Sequence, residues 1–364
     1  MNGSRKPDPF AAREGLLRTT FRTLARHAVL ALFDRSVVIP VQTPARNILL
    51  VRWDGKLGDA FVSSFFHREA KRSGARVSVA TTTSLVDLHA EHFGADLVIG
   101  ASRKPGLMEL MRHAWRLRDV DTVVHLTERL AAREIVFLWL LRPVNVFSLD
   151  DRPRLVNGKL GSDTATLRFD EKYAAVLRRL GMSVIDTAPV IPAATSRVAD
   201  DVDIVFNPFG SRPDKSISTE RAVSTLRQLA ARHPERRIGV LSCAQTLVHA
   251  EEICDAVGLE TVAVCHGAQT IPGMIDTLWA ASVVISVDTS VVHIAAGMRK
   301  PLLAIYPLIG DDANPWLPPP RSSTLVVYSP VDQATYGATG LKCLDNYLDE
   351  ELVAGIEALE LGCG

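Results

Sequence analysis

Cysteines are few and scattered in this 364-residue chain, aromatic residues make up only 6%, and the formal net charge is zero. Each shortfall excludes something. Cys243, Cys254, Cys265, Cys343 and Cys363 form no CxxC pair, which argues against a disulfide framework or a zinc site and fits a reducing compartment. No apolar run nears the roughly 18 residues of a membrane span, and no secretory signal is read, so a cytoplasmic location is expected. Short-period repeats and low-complexity tracts are also missing. What remains, 47% hydrophobic and 23% charged residues, is the composition of a soluble globular protein. The length favours two domains over one core.

Zero net charge hides an asymmetry. Residues 1–190 hold 29 Lys and Arg against 20 Asp and Glu, and residues 191–364 hold 12 against 21. A basic first half suits an anionic partner; drift of surface charge between domains is the plainer account. No nucleic-acid partner is expected.

Strand and helix signals alternate along most of the chain. Residues 1–46 precede the first strand. Within them Leu16, Leu17, Phe21, Leu24 and Ala28 recur at helical spacing, with Arg18, Arg22 and Arg26 as a separate stripe. Such a helix either lies on the inner face of an anionic membrane or packs on its own domain. Strands are expected at 47–51, 77–80, 97–99, 122–125 and 144–147, with helices at 60–73, 84–92, 129–141 and 172–180. After a Pro/Ala-rich linker over 188–202, strands are expected at 204–206, 237–241, 261–264, 283–287 and 302–306. Helices are expected there at 219–232, 250–257, 271–279, 291–298 and 348–359. This alternation implies parallel sheets covered on both faces. The predicted organisation is an amphipathic segment 1–46, a Rossmann-like domain 47–190, a second Rossmann-like domain 203–345 and a terminal helix 346–364. The fold class is α/β, with the two domains facing each other across a cleft.

Three constellations carry chemistry. In RWDGKLGD, residues 52–59, Gly55 and Gly58 allow a tight strand-to-helix turn. Asp59 then opens the helix, either as a general base or as an acid complementing the helix dipole. Asp54 and Lys56 flank it. In NPFGSRPDKS, residues 207–216, Ser211 and Ser216 offer hydroxyls, and Arg212 and Lys215 offer charge for a diphosphate; a solvated loop is the alternative. This loop meets the third constellation only if the second domain is doubly wound. In VVISVDTSVVHIAAGM, residues 283–298, Asp288, Thr289 and Ser290 supply N-cap chemistry and His293 follows within the first turn. A helix start at the carboxyl end of a strand suits a phosphate, although a lone histidine on an apolar helix is also a common core residue. The pairs Asp150-Asp151 and Asp311-Asp312 read as solvated loop acids or, less economically, as metal ligands.

Taken in order, these motifs resemble glycosyltransferase family 9, the bacterial heptosyltransferases of the lipopolysaccharide core. NILLVRWDGKLGDA, FNPFGSRPDKS and DTSVVHIAAGMRKPLLAIY are similar to three family motifs. The resemblance spans roughly residues 47–310. It implies a GT-B fold and inverting, metal-independent sugar transfer without a cofactor. Asp59 would be the catalytic base. Lys215, Ser211, Thr289, Ser290 and His293 would surround the donor diphosphate. Asp288, Gln245 and Ile271 would contact the donor nucleotide or sugar, and Asp54 and Lys56 would belong to the acceptor loop. The implied donor is a nucleotide-diphosphate sugar, ADP-heptose first, and the acceptor an anionic glycan or glycolipid, with peripheral membrane contact. Ser290 stands where the family has glycine, Ile217-Ser218 where it has an aromatic-Pro pair, and Ser242–Gln245 where a ribose-binding Glu is usual, the nearest acids being Glu251 and Glu252. These departures keep two other readings open: a GT-B transferase with another donor and acceptor, such as a capsule sugar or a protein, and a silent sugar-nucleotide-binding partner.

Overall fold

The computed structural model describes residues 23–34, 40–195, 200–310 and 314–361. By its contacts the chain divides into two units. One runs to Gly55 and resumes over Phe66–Thr187; the other comprises Lys56–Phe65 and the chain from Ala188 onward.

The first unit is built on β1 (Asn47–Arg52), β2 (Arg76–Thr82), β3 (Leu97–Ala101), β4 (Thr122–Val124), β5 (Asn145–Ser148) and β6 (Gly158–Lys159). They pair in parallel in the order β3-β2-β1-β4-β5-β6. Its helices are α1 (residues 23–33), the end of α2 (Leu57–Arg72), α3 (Leu107–Arg116), α4 (Ala132–Leu141) and α5 (Phe169–Arg179). Near-continuous apolar runs such as Ile48–Val51 are what a strand buried on both faces requires.

The second unit repeats the plan. Strands β7 (Ile204–Asn207), β8 (Ile238–Val240), β9 (Val262–Val264), β10 (Val283–Val287), β11 (Leu302–Leu308) and β12 (Thr324–Pro330) pair in parallel in the order β12-β11-β10-β7-β8-β9. Helices α6 (Thr219–Arg232), α7 (Leu247–Val257), α8 (Ile271–Ala280), α9 (Ser290–Met298), α10 (Gln333–Thr339) and α11 (Asp349–Leu361) complete it. Phe206, Ile285 and Ile305 form one core with Leu226, Ile253 and Ile356 from the helices. In each sheet the first strand of the unit lies centrally, beside the fourth. That is the doubly wound order, which opens a crevice at the carboxyl ends of those two strands.

Several expectations are corrected. Residues 84–92 form a 3-10 turn (Thr83–Leu85) and a π-type turn (Leu88–His92), not a regular helix. The widened turn buries His89 and Phe93 together, with ring centroids 5.2 Å apart. Helices α3 and α10 and strands β6 and β12 are additions to the expected elements: α3 is amphipathic but only ten residues long, and the other three are short or weakly patterned. Of the amino-terminal amphipathic segment, Leu16, Leu17, Arg18, Phe21 and Arg22 lie outside the described residues. In the part described, the faces are reversed: Arg26 is buried, donating to Asp150 at 2.7 Å and to the Leu130 carbonyl at 2.9 Å, while Leu24 is 62% exposed. Val29, Leu30 and Phe33 pack on the first unit's core. Asp150 is therefore no solvated acid. Burial alone would raise its pKa, yet the Leu130 N–H and the guanidinium groups of Arg152 and Arg26 hold it below the usual carboxylate range. Asp151 likewise accepts the backbone N–H groups of Gly161 and Ser162, both at 2.8 Å. Asp311-Asp312 lies outside the described residues. Among the described residues no helix is long and apolar enough to cross a membrane.

Candidate functional site

In the second unit the crevice falls between β7 and β10, which pair directly from Val283 and Ile204 to Ser286 and Asn207. The loop after β7 and the loop after β10 therefore meet. Asn207, the last residue of β7, donates through Nδ2 to Ser286 Oγ at 2.9 Å and to Thr289 Oγ1 at 3.1 Å. This corrects the expected N-cap. Thr289 occupies the cap position of α9, but its side chain makes no capping hydrogen bond; Asn207 has drawn it aside. The opening amides of α9 and the positive end of its dipole are therefore left to other partners.

The 208–218 loop folds back on itself. A Cβ on Gly210 would lie 2.2 Å from the Lys215 carbonyl oxygen, so only glycine permits this closure. The Gly210 N–H donates to Ser216 Oγ at 2.9 Å, and that hydroxyl donates to the Arg212 carbonyl at 3.1 Å. Ser216 thus holds the loop, whereas Ser211 and Arg212 are exposed at its tip. The turn Pro213–Lys215 delivers Lys215 Nζ to Asp288 Oδ2 at 3.2 Å. Two of the sequence-predicted residues, 73 positions apart, are thereby brought together.

Lys342 is an addition that sequence reasoning missed. Its backbone N–H donates to the Asp214 carboxylate; although burial raises that pKa, Arg212 and Lys342 hold it below the usual range. The half-buried Lys342 ammonium has its own pKa lowered, by burial first and then by Lys215 and Arg212, against the opposing pull of Asp288 and Asp214. It follows α10 in a stretch with no clear periodicity, so only the fold brings it to the cluster.

His293 is buried, its ring 6.3 Å from the Trp316 ring in an edge-on arrangement. Burial pushes it down to about 4 despite the Asp288 carboxylate, leaving it neutral at pH 7. Tyr306 braces this wall by donating to the Trp316 carbonyl at 2.9 Å. Gln245 lies exposed after β8, where its Oε1 accepts the Cys243 thiol at 3.1 Å, and Ile271 opens α8 after β9. Both stand at the carboxyl edge of the same sheet, but farther from β10 in strand order.

Residues Lys56–Phe65 belong by contact to this second unit. A Cβ on Gly58 would sit 3.2 Å from His293 Cδ2 and 3.3 Å from Ser290 Cα. The next residue, Asp59, is half-buried in the first turn of α2. Lys56 is exposed. Asp54, in the first unit, pairs with Arg52 at 3.2 Å.

The first unit has its own crevice, between β1 and β4. Arg52 Nη1 donates to the Tyr173 hydroxyl at 2.9 Å, tying α5 to the end of β1. His125 Nε2 lies 3.3 Å from Glu134 Oε2. Burial would raise Glu134, but His125 and the Ala131 N–H hold it at about 2. Lys172 is buried with its ammonium 4.8 Å from the centre of the Phe169 ring, and burial lowers its pKa against the pull of Glu128. Among the described residues no group of three or more His, Cys, Asp or Glu side chains could hold a metal ion.

Residues 171–318 match the model of glycosyltransferase family 9 (heptosyltransferase). Among solved structures, the chain is similar to a family 9 glycosyltransferase from Veillonella parvula (14% identity, TM-score 0.65, covering 88% of this chain and 99% of that one). It is also similar to E. coli ADP-heptose lps heptosyltransferase II (15%, TM-score 0.66, 86% and 98%) and to E. coli heptosyltransferase WaaC with ADP (16%, TM-score 0.59, 85% and 99%). No protein of curated function matches in sequence. Residues 171–318 are thus similar to glycosyltransferase family 9 (heptosyltransferase), and the fold, with its two parallel six-stranded sheets, is of the GT-B type of α/β fold.

Proposed function

We propose that this protein is an inverting, metal-independent glycosyltransferase. It moves a heptose or related sugar from a nucleotide-diphosphate sugar, ADP-heptose first, to an anionic glycan or glycolipid. The observation that carries the reading is the meeting of Lys215, Asp288 and the uncapped start of α9 at the β7–β10 crevice. A diphosphate there would gain a charge-assisted bond from Lys215 and the amides and dipole of α9. Support for adenosine diphosphate comes from the WaaC structure, which is described with ADP.

The step is a single displacement. The Asp59 carboxylate takes the proton of an acceptor hydroxyl, whose oxygen forms a bond to the anomeric carbon. The bond from that carbon to the diphosphate oxygen breaks, and its electron pair leaves with the nucleotide. Attack from the face opposite the leaving group inverts the centre. Lys215, Lys342 and the α9 dipole offset the charge that develops on the diphosphate. His293, neutral at pH 7, orients by packing and hydrogen bonding rather than by charge.

The test is a transfer assay with ADP-, GDP- and UDP-sugars, paired with calorimetric titration of each. Transfer from one donor that Asp59→Ala abolishes, with donor binding retained, supports the reading. Full activity in Asp59→Ala removes the base assignment. Failure of every nucleotide sugar to bind at millimolar concentration overturns the enzyme.

A further inference from the structure

We propose that the outer face of α3 docks this protein on an anionic lipid bilayer. The helix is a short amphipathic element with three distinct faces. Leu110, Ala114 and Leu117 turn inward and join the first unit's core beside Leu130, Ile135 and Leu138. His113 is buried with them, its Nε2 3.4 Å from Glu109 Oε1. Glu109, partly exposed, is engaged by its own unit, accepting the Ser102 N–H and hydroxyl, both at 2.9 Å.

The neighbouring face is apolar, and among the described residues nothing covers it. Leu107 is 60% exposed, Met108 71%, Met111 41% and Trp115 70%. At about 100° per residue these four fall within an arc of roughly 100°. They are not scattered single residues, which a soluble surface tolerates, but one stripe about 12 Å long. Arg112 and Arg116 follow on the adjoining arc, both exposed; Arg103 and Lys104 precede the helix and Arg118 follows it, also exposed. Of the two acids in the stretch, Glu109 is partly exposed and paired with Ser102 and His113, and Asp119 is exposed, so the five cations outnumber them.

The charge selects the occupant. A tryptophan, leucine and methionine stripe rimmed by five Arg and Lys is the composition of a helix lying in the headgroup region of a bilayer, its apolar face sunk about 5–10 Å. Arg118 already lies over the Trp115 ring, 5.6 Å from its centroid, as a side chain does when it reaches back toward phosphates from an interfacial aromatic. A second copy of the chain fits less well. Two-fold pairing through this face would set each group of five cations against its twin. The surface differs from the amino-terminal helix, whose described part turns Arg26 inward. The inference does not depend on the reaction proposed above, because vesicle binding is read without substrate.

The experiment is sedimentation of the full chain with vesicles of phosphatidylcholine alone and with 30% phosphatidylglycerol. The protein should sediment with the anionic vesicles, weakly or not at all with the neutral ones, and less as salt rises. Met108→Ser with Trp115→Ser, and separately Arg112→Gln with Arg116→Gln, should each cut anionic-vesicle binding at least tenfold, with unchanged circular dichroism and melting temperature. Wild-type binding that both double variants retain would move membrane contact elsewhere and overturn the proposal. So would failure of the wild type to bind. A concentration-dependent dimer that the apolar variant abolishes, without vesicle binding, would assign the stripe to self-association instead.

Discussion

Lys215 and Asp288 stand 3.2 Å apart in the loops that follow two neighbouring parallel strands, although 73 positions separate them in the chain. The pair is largely shielded, and without ligand each group satisfies the other. A diphosphate arriving there meets Lys215 already positioned, with Lys342 and Arg212 close by.

Lys215→Ala should therefore weaken nucleotide-diphosphate binding by about 10- to 100-fold, the worth of one charge-assisted hydrogen bond. Lys342→Met should weaken it less, by about 3- to 10-fold, and should flatten the salt dependence without moving the melting temperature. Calorimetric titration with ADP at two ionic strengths checks both. Equal affinity in Lys215→Ala and wild type would take Lys215 out of the site.

Gly58→Ala places a methyl against Ser290 Cα and His293 Cδ2, at 3.3 and 3.2 Å. Because the obstacle includes backbone, the start of α2 must give by a few tenths of an ångström. Turnover should fall about tenfold while stability changes by no more than about 1 kcal/mol. Steady-state kinetics with a melting curve tests this; undiminished turnover would show that the close approach has no bearing on activity.

Three buried histidines set a pH dependence. Burial, reinforced for His67 by Lys71 and for His89 by His67 and Arg52, pushes His293 to about 4, His67 to about 3 and His89 to about 2. Each folded value lies below the unfolded one near 6.5, so below that pH the unfolded chain takes up protons that the native chain refuses. Their contribution is whole above about pH 6.5 and declines as pH falls toward the folded values. Urea midpoints should drop steadily from pH 7 to pH 5, before carboxylates begin to titrate. His67→Leu should reduce the slope by about one proton. A flat midpoint over that range would contradict the assignment.

Asp150→Ala leaves the Arg26 guanidinium buried without its carboxylate. Breaking such a pair costs about 3–5 kcal/mol, and removing the acceptor of the Leu130 N–H adds to it. Chemical denaturation should show the loss in the first unit's transition. A change below about 1 kcal/mol would mean that water reaches Arg26 unaided.

The alternation of strands and helices was legible because parallel strands buried on both faces leave unbroken β-branched runs, as in Val283–Val287. Segments 219–232 and 283–287 match the observed elements end to end. Local pattern could not show that β7 neighbours β10, which is what joins Lys215 to Asp288. The side-chain hydrogen bond from Asn207 was equally invisible, and it displaced the N-cap expected of Thr289. Arg26 misled because an exposed arginine stripe and a buried arginine paired with Asp150, 124 residues away, look alike in sequence. Residues 324–347 were unread for a different reason. Strand β12 alternates weakly and α10 is only seven residues long, so Lys342 had no frame to place it.

The thiols give the molecule a built-in labelling pattern. Burial raises Cys254 to about 11 and Cys265 further still, whereas Cys243 and Cys343 are exposed. Alkylating dyes are thus steered away from the sheet interior. A fluorophore on Cys243 would ride in the turn after β8 beside Gln245, reporting by its emission whether that turn shifts as different nucleotides are offered.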